Sequence, residues 1–137
     1  MILLIRGRGI AGGRGKGSLL VSPEPLSFLS GVDPASGIIV EKGHPLQGAC
    51  ITGKVLAFPY GKGSTVGSYV LYALSRNGNA PAAIINTEAE PIIATGAIIG
   101  GIPMIDRIEI PMNRLRSGVQ VQVDGDSGEM IYEGELL

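Results

Sequence analysis

Cysteine, histidine and tryptophan are almost missing from this sequence, which contains one cysteine, one histidine and no tryptophan. The single thiol, Cys50, cannot form an internal disulfide, and one thiolate cannot hold a zinc ion or an iron–sulfur cluster. We expect Cys50 to be a small buried side chain. Aromatic residues amount to only 4%, which argues against a base-stacking surface for single-stranded nucleic acid.

Strong net charge and long apolar runs are missing as well. A formal net charge of −1 gives no electrostatic reason to expect nucleic acid or another polyanion as a partner. No apolar run approaches the roughly 18 residues of a membrane span. The apolar residues 1–5 end at Arg6 and are too few for a signal-peptide core. We therefore expect a cytoplasmic protein that does not bind a membrane.

Glycine, by contrast, accounts for 22 of the 137 residues, about twice its usual share of roughly 7%. This abundance indicates many tight turns and places where the backbone closely approaches another backbone or a ligand. Hydrophobic residues make up 45% and charged residues 17%, which is typical of a globular chain. Because no repeat or linker is visible, we expect residues 1–137 to form one domain.

The first half of the sequence has the pattern of short strands separated by turns. Strands are predicted at residues 2–8, 18–22, 38–41 and 49–52, and a turn is predicted at residues 33–37. The glycine-rich residues 9–17 follow the first strand, and we interpret them as a flexible connection. Two alternatives are a loop that reaches a partner's anionic substrate and an arginine–glycine tract that binds RNA.

The second half has a different pattern, in which apolar runs alternate with helical periodicity. Residues 55–58, 82–85 and 102–105 are apolar runs of the kind buried in a parallel sheet. Between the first two runs, apolar residues at positions 66, 69, 70, 73 and 74 have the spacing of an amphipathic helix. The pair at positions 77–78, Asn-Gly, is a typical helix end.

A second helix is predicted between the last two apolar runs. Glu88 and Glu90 resemble its acidic first turn, Pro91 lies inside its start, and the glycines at positions 100–101 follow its end. The order strand, helix, strand, helix, strand predicts a parallel sheet and the α/β class. Alternating valines in residues 119–123, then a turn and residues 130–133, predict a closing hairpin.

The most informative segment is Gly61-Lys62-Gly63-Ser64, which lies between a predicted strand and a predicted helix. Free backbone N–H groups and the positive end of the helix dipole make such a place suitable for an anion. Gly61 and Gly63 would allow the loop to bend and a ligand to approach, and Lys62 adds a charge. A nucleotide-binding P-loop is a poor match, because Gly63 separates the lysine from the serine.

Two roles are open for Ser64 on the basis of spacing. It is either a cap of the helix, which typically contributes about 1 kcal/mol, or a base or nucleophile whose alkoxide is stabilised by loop N–H groups and Lys62. The only histidine, His44, stands beside Pro45 in a predicted turn. We expect it to be structural or solvent-exposed, so the sequence offers no obvious Ser–His–Asp arrangement.

Two motifs and their surroundings carry a resemblance to a known family. The first is PLSFLSGVDP at residues 25–34, followed by HPL at 44–46 and by Gly48. The second is GKVL at residues 53–56, followed by Pro59, by GKGS at 61–64 and by Ser68. Residues 77–78, 80–85, 90–92, 96–98 and, more loosely, 102–103 extend the match over nearly the whole chain. In this combination the chain resembles the small subunit of the aconitase X family.

The resemblance implies a swivelling β/β/α three-layer domain that docks on a large subunit and is inactive without it. The large subunit would supply the cysteines of an iron–sulfur cluster, whose open iron would bind the leaving hydroxyl group as a Lewis acid. For a free-standing chain of this size, the implied reaction is that of archaeal members. These hydro-lyases dehydrate (R)-5-phosphomevalonate to trans-anhydromevalonate 5-phosphate in the mevalonate pathway of isoprenoid synthesis.

The family motif also implies roles for residues. Ser64 would be the proton acceptor, acting as an alkoxide on the carbon next to the substrate carboxylate. Lys62 and the amides of Gly63 and Thr65 would stabilise that alkoxide or hold the carboxylate. Lysine at position 62 departs from the arginine that is frequent in the family, and it keeps the charge but loses the bidentate fork. The residues expected to bind substrate are Gly61, Lys62, Gly63, Thr65, Ser27, Gly31, Asp33 and Arg14.

Arg14 and Lys16 are the candidates for the substrate phosphate, and no metal ligand is expected in this chain. Other hypotheses stay open beside the phosphomevalonate reaction. Bacterial members of the family dehydrate hydroxyproline-type substrates, so the hydroxy acid could differ. A non-catalytic module that binds an anionic metabolite at the glycine loop, and an RNA-binding domain that uses residues 9–17, are the remaining alternatives.

Overall fold

A computed structural model of the chain describes residues 1–63 and 66–137. The described residues form the following elements in chain order: β1 (Ile2–Arg6), β2 (Arg8–Ala11), β3 (Arg14–Val21), β4 (Val32–Asp33), β5 (Ile38–Ile39), β6 (Val55–Phe58), α1 (Gly67–Arg76), β7 (Ala83–Asn86), α2 (Pro91–Gly100), β8 (Met104–Asp106), a 3-10 turn (Met112–Arg114), β9 (Gln120–Asp124) and β10 (Glu129–Glu133).

The main sheet is a mixed sheet of eight strands in the order β1-β10-β9-β3-β6-β7-β8-β2. Strands β3, β6, β7 and β8 run parallel to one another, which confirms the parallel sheet predicted for the second half. The pairs β9–β10, β1–β10, β3–β9 and β2–β8 are antiparallel, so the predicted closing hairpin is confirmed. The short strands β4 and β5 form a separate hairpin around the predicted turn.

The sheet is rolled so that its two edges meet. Strands β1 and β2 stand at opposite ends of the strand order, yet only Gly7 separates them along the chain. The sheet must therefore curve until both edges are adjacent. A backbone hydrogen bond from Gly7 N to Gly128 O, 2.9 Å long, fixes this junction to the turn between β9 and β10.

Rolling the sheet creates a first apolar core between its antiparallel and parallel parts. Strand β9 alternates buried Val121 and Val123 with glutamines on the other face, as expected for a sheet with one face solvated. From the parallel part, the alternate residues of β6 and β7 face this core. The members of this cluster from the two parts are Ile5, Val121, Val123, Met130 and Tyr132 on one side, and Leu19, Val55, Ala57, Ala83, Ile85 and Ile105 on the other.

A second apolar core lies on the opposite face of the parallel strands, against the two helices. Leu56 and Phe58 of β6 point to this side, because successive residues of a strand face opposite ways. They pack with Leu71 and Leu74 of α1 and with Ile93 of α2. The molecule is thus an antiparallel β layer, a parallel β layer and an α layer, which confirms the predicted β/β/α class.

The interpretation of residues 9–17 as a flexible connection is wrong. They lie largely in β2 and β3, where glycine makes the close approach of the two β layers possible. A Cβ atom on Gly15 would collide with the backbone carbonyl of Ala82. Glycine here serves backbone packing rather than mobility.

Residues 49–52 and Cys50 also differ from expectation. The predicted strand is reduced to an isolated bridge between Ile38 and Cys50. Cys50 is exposed rather than buried, because its neighbour Ile51 occupies the position that faces the core. Within the described part of the chain, no helix is long and apolar enough to cross a membrane.

Gly96 of α2 packs closely against α1 where the two helices cross. A Cβ atom at this position would lie 2.6 Å from Leu71 Cδ1 and 3.0 Å from Ser68 Cα. By contrast, a Cβ atom on Gly100 in the same helix would meet its neighbours at 3.4 Å or more, which is ordinary van der Waals contact. The crossing of α1 and α2 therefore depends on the missing side chain at position 96.

We expect Gly96→Ala to lower the free energy of unfolding by about 1–3 kcal/mol, because overpacking at the helix crossing outweighs the higher helix propensity of alanine. Urea unfolding of the purified chain, followed by circular dichroism, measures the change. Gly100→Ala is the matched control and should be neutral or slightly stabilising. Equal destabilisation by both substitutions would contradict the importance of the crossing.

Candidate functional site

The parallel strands end together at one edge of the sheet. Phe58, Asn86 and Asp106 are the last residues of β6, β7 and β8 and are paired in register. Asn86 and Asp106 are fully buried. Asn86 donates a hydrogen bond to Phe58 O at 3.0 Å, and its Oδ1 has no partner among the described residues. In α/β folds, whether the sheet is open or closed into a barrel, ligands bind at the carboxyl ends of the parallel strands.

The glycine turn, which we define as residues 61–63, lies at this edge, shortly after the end of β6. Gly61 forms an isolated parallel bridge with Leu26, and Lys62 N donates to Leu26 O at 3.1 Å. Gly63 has a φ of 97°, in the left-handed region that favours glycine. Helix α1 then begins at Gly67. Ser64 and Thr65 lie outside the described residues, so both their roles stay predictions.

The two helix N-termini at this edge differ in charge. At α2, the N-cap residue Glu90 accepts hydrogen bonds from Ile92 N at 2.9 Å and Ile93 N at 2.7 Å. The positive end of that helix is therefore already satisfied by a carboxylate of the same chain. The first turn of α1 contains no acidic residue. Of the two helix starts, the one next to the glycine turn is the one suited to an external anion.

The loop of Ser27 contacts the glycine turn. A Cβ atom on Gly63 would lie 3.0 Å from Ser27 Oγ, so the two loops touch. Ser27 Oγ donates to Leu29 O at 2.9 Å, which fixes its side chain within the loop. Gly31 lies behind Ser27, where a Cβ atom would collide with the Ser27 carbonyl.

Glu41 joins these two loops and was not singled out from the sequence. Its Oε2 lies 2.9 Å from Lys62 Nζ, and its Oε1 accepts a hydrogen bond from Ser27 N at 2.9 Å. Burial alone would raise the pKa of Glu41, but the bonds from Lys62 and Ser27 outweigh it and lower that pKa. The same pairing raises the pKa of Lys62. The one sequence feature that could have identified Glu41 is its position shortly before the HPL motif.

Asp33 and Arg14 are not brought to the glycine turn. Asp33 accepts hydrogen bonds from Ala35 N at 3.0 Å and Ser36 Oγ at 2.8 Å, so its carboxylate stabilises its own turn. Arg14 is at the amino end of β3, a strand of 8 residues. At about 3.3 Å per residue, Arg14 is roughly 23 Å from the carboxyl edge. It pairs there with Asp124 at 3.4 Å.

Lys16 is on the same strand, two positions from Arg14, and is likewise remote from the turn. Besides Lys62, the basic residues at the carboxyl edge include Arg8 and Arg107. Arg8 binds Asp106 through two hydrogen bonds of 2.9 and 2.7 Å. Arg107 binds Glu88 through two of 2.9 and 2.6 Å. Each guanidinium is thus matched by a carboxylate of the same chain.

His44 has a structural role, which is one of the two roles predicted for it; the other was a solvent-exposed side chain. It is only 6% exposed, its Nδ1 accepts a hydrogen bond from Leu46 N at 3.0 Å, and its Nε2 is 3.1 Å from Pro25 O. Since Nδ1 is an acceptor, Nε2 carries the proton and donates to that carbonyl. His44 thereby connects the start of the PLSFLSGVDP motif, at Pro25, to the HPL motif, at Leu46.

Two cavities border the carboxyl edge. The one at the glycine turn is small, about 20 Å³, and is lined by residues that include Lys62, Gly63 and Glu90. A larger groove of about 930 Å³ also borders this edge, with a mainly apolar lining that includes Pro59, Met112 and Leu115. Among the residues that the structure describes, none of the predicted site residues lines this groove. Small-molecule sites usually need about 300–1,000 Å³, so the turn alone does not enclose a substrate.

A metal centre is not built by the described part of the chain. No group of three or more His, Cys, Asp or Glu side chains is placed there to hold a metal ion. The single cysteine, Cys50, bonds through Sγ to Ser36 O at 3.7 Å. An iron–sulfur cluster needs several thiolates, so these residues do not fit one.

Comparison with known proteins gives a consistent result. A family model described as the aconitase X swivel domain matches residues 4–132. The phosphomevalonate dehydratase small subunit of Thermococcus onnurineus is 58% identical over 124 residues, which cover 90% of this chain and 94% of that protein. The protein of the same name from Pyrococcus furiosus is 56% identical over 134 residues, covering 96% and 98%.

The fold agrees as well. The crystal structure of Thermococcus kodakaraensis aconitase X in its holo form superposes with a TM-score of 0.89 at 52% identity, covering 98% of each chain. The likeness therefore extends over both β layers and the helices.

We expect Asp106→Asn to lower the free energy of unfolding by about 1–3 kcal/mol near neutral pH. The fully buried carboxylate accepts from Arg8 and also from Ala89 N at 2.7 Å, and an amide nitrogen would face one of these donors. Urea unfolding measures the loss. Glu88→Gln, which removes an exposed pairing, is the control and should change stability by less than about 1 kcal/mol.

The pairing of Asp106 with Arg8 also predicts that the free energy of unfolding depends on pH. Burial raises the pKa of Asp106, but hydrogen bonds from Arg8 and Ala89 outweigh it, so the folded-state pKa is lowered. The contribution of ionised Asp106 to the free energy of unfolding is therefore complete above its unfolded-state pKa of about 3.9. This contribution is lost as the pH falls through the lower folded-state pKa. The stability gap between wild type and Asp106→Asn should close in that acid range. A gap that stays constant there would contradict this assignment.

Proposed function

The chain belongs to the aconitase X swivel-domain family, and on this premise we propose that it is the small subunit of a phosphomevalonate dehydratase. The enzyme would be a hydro-lyase that converts (R)-5-phosphomevalonate to trans-anhydromevalonate 5-phosphate. The observation that carries the proposal is identity above half over at least nine-tenths of the chain to archaeal small subunits of that name. The glycine turn at the carboxyl edge of the parallel strands supports it.

In this proposal Ser64 is the proton acceptor. Its alkoxide takes the proton from the carbon next to the substrate carboxylate, and the electrons of that C–H bond form the new double bond. The hydroxyl group on the adjacent carbon leaves with a further proton as water. A serine hydroxyl is too weakly acidic to do this without help, so donors and positive charge must lower its pKa.

The described neighbours of Ser64 are of the right chemical kind. Lys62 places an ammonium group at the turn, and its raised pKa keeps it protonated. Gly63 supplies a backbone N–H group, and the N-terminus of α1 adds the positive end of a helix dipole. We propose that these groups, with the amide of Thr65, stabilise the alkoxide or bind the substrate carboxylate. Gly61 and Ser27 would line the same place.

Arg14 and Lys16 are poor candidates for binding the substrate phosphate, because both lie far from the glycine turn. Arg14 lies at the far end of β3, a distance that a single small substrate bound at the turn does not span. Asp33 is occupied within its own turn. In the proposal these two residues therefore do not touch the substrate, and the phosphate is bound elsewhere in the assembled enzyme.

A large subunit is required by the same proposal. The name of the curated relatives, small subunit, implies a larger partner, and the cavity of about 20 Å³ at the turn is too small to enclose the substrate. The iron–sulfur cluster would belong to that partner, since the described residues here do not fit one. Docking would then close the site and exclude water from the reacting atoms.

We expect Ser64→Ala to reduce the dehydration rate by about 10²–10⁴-fold, because general-base catalysis contributes this much. The measurement is turnover of 5-phosphomevalonate by the co-expressed, anaerobically purified complex, with subunit content and cluster absorbance recorded for each variant. Ser18→Ala in β3 is the matched control and should retain full activity.

Near-normal turnover by Ser64→Ala in an intact complex would return this serine to the role of helix cap. No turnover by wild type would leave the family and fold intact but refute the substrate. A purified complex without iron–sulfur absorbance would refute the proposed cofactor.

A further inference from the structure

We propose that Glu41 is a positioning residue of the dehydration site, whose carboxylate clamps Lys62 and the Ser27 loop together over the glycine turn. The inference rests on the proposed function and deepens it, because it assigns a role to a residue outside the Gly-x-Gly-Ser turn. It follows from the two separate partners of one carboxylate.

Each oxygen of Glu41 holds a different loop. Oε2 lies 2.9 Å from Lys62 Nζ, and Oε1 accepts from Ser27 N at 2.9 Å. Hydrogen bonds to an ionised carboxylate are about twice as strong as neutral ones. The side chain of Glu41 is 18% exposed and that of Lys62 is 46% exposed. The carboxylate is therefore largely buried, whereas Lys62 remains accessible to solvent.

The backbone around Glu41 is fixed to the same motif. Val40 N and Glu41 N both donate to Gly31 O, at 2.8 and 3.2 Å. A Cβ atom on Gly31 would lie 3.1 Å from Glu41 Oε1 and would collide with the Ser27 carbonyl. A side chain at position 31 would therefore push the carboxylate and the Ser27 loop apart. Glycine at position 31 therefore has a packing role in this chain that requires no contact with substrate.

The clamp changes what Lys62 can contribute. Paired with Glu41, its ammonium stays charged, but the carboxylate balances part of that charge and fixes where the ammonium points. An ammonium group has three N–H donors, and one is taken by Glu41. The clamp leaves Lys62 as a fixed hydrogen-bond donor beside the turn. A flexible lysine stem would otherwise lose this orientation.

The test is a double-mutant cycle in the purified complex with its large subunit, measuring kcat and KM for 5-phosphomevalonate. Glu41→Gln should lower kcat by about tenfold, because Lys62 and the Ser27 loop lose their orientation at the turn. Subunit content and cluster absorbance should stay unchanged, because a partly exposed ion pair contributes little to folding. Lys62→Met should lower kcat similarly. The double variant should lose far less than the product of the single losses, since Glu41 acts through Lys62.

Two further variants separate positioning from a general loss of charge. Lys62→Arg can still pair with Glu41 and should stay within about threefold of wild type. Glu129→Gln removes a carboxylate that pairs with Arg6 at 3.4 Å on strands away from the turn, and should have no effect. Multiplying losses in the double variant, or a Glu41→Gln enzyme as active as Glu129→Gln, would overturn the proposal.

A second measurement decides the matter without turnover. Competitive acylation of lysine amines across pH, quantified by mass spectrometry in the same complexes, reports the pKa of Lys62. Glu41→Gln should lower that pKa, whereas Glu129→Gln should not. If wild type fails to dehydrate 5-phosphomevalonate, the proposed function is refuted, and an unchanged Lys62 pKa in Glu41→Gln would separately refute the clamp.

Discussion

The parallel register of β3, β6, β7 and β8 is the constraint on which the site depends. Because these strands run in one direction, the chain leaves β6 and β7 at the same edge and returns through a helix each time. Both helices consequently start at this edge, and the glycine turn of residues 61–63 lies there with them. A local motif is thereby given its chemical setting by pairing between distant segments.

The same edge shows how the chain distributes its charges. Glu90 satisfies the start of α2, Asp106 satisfies Arg8, and Glu88 satisfies Arg107. At the glycine turn the corresponding match is Glu41 with Lys62. What the turn offers is therefore oriented donors rather than an excess of positive charge. Such preorganised donors stabilise charge that appears during a reaction, and they need no rearrangement when it does.

The sequence predicted those elements whose periodicity is strong and local. Strands β6 and β7 and helix α1 follow from continuous apolar runs and helical spacing, and the resemblance supplied the layer order. Residues 9–17 were misjudged because glycine lowers strand propensity, whereas the pairing that overrides it comes from β8 and β9. Glu41 was missed for a related reason, since its contact with Lys62 is created by the β4–β5 hairpin.

The junction of the sheet edges at Gly7 has a consequence for how this protein can meet another one. An exposed edge strand normally offers unpaired backbone groups to a neighbouring chain. Here Glu109 N bonds to Arg6 O at 2.8 Å beside β1, and the turn between β9 and β10 bonds to Gly7 and Gly13. Loops thus cover backbone that could otherwise recruit a foreign strand. At these positions another protein would meet side chains and loops rather than the unpaired backbone of an edge strand.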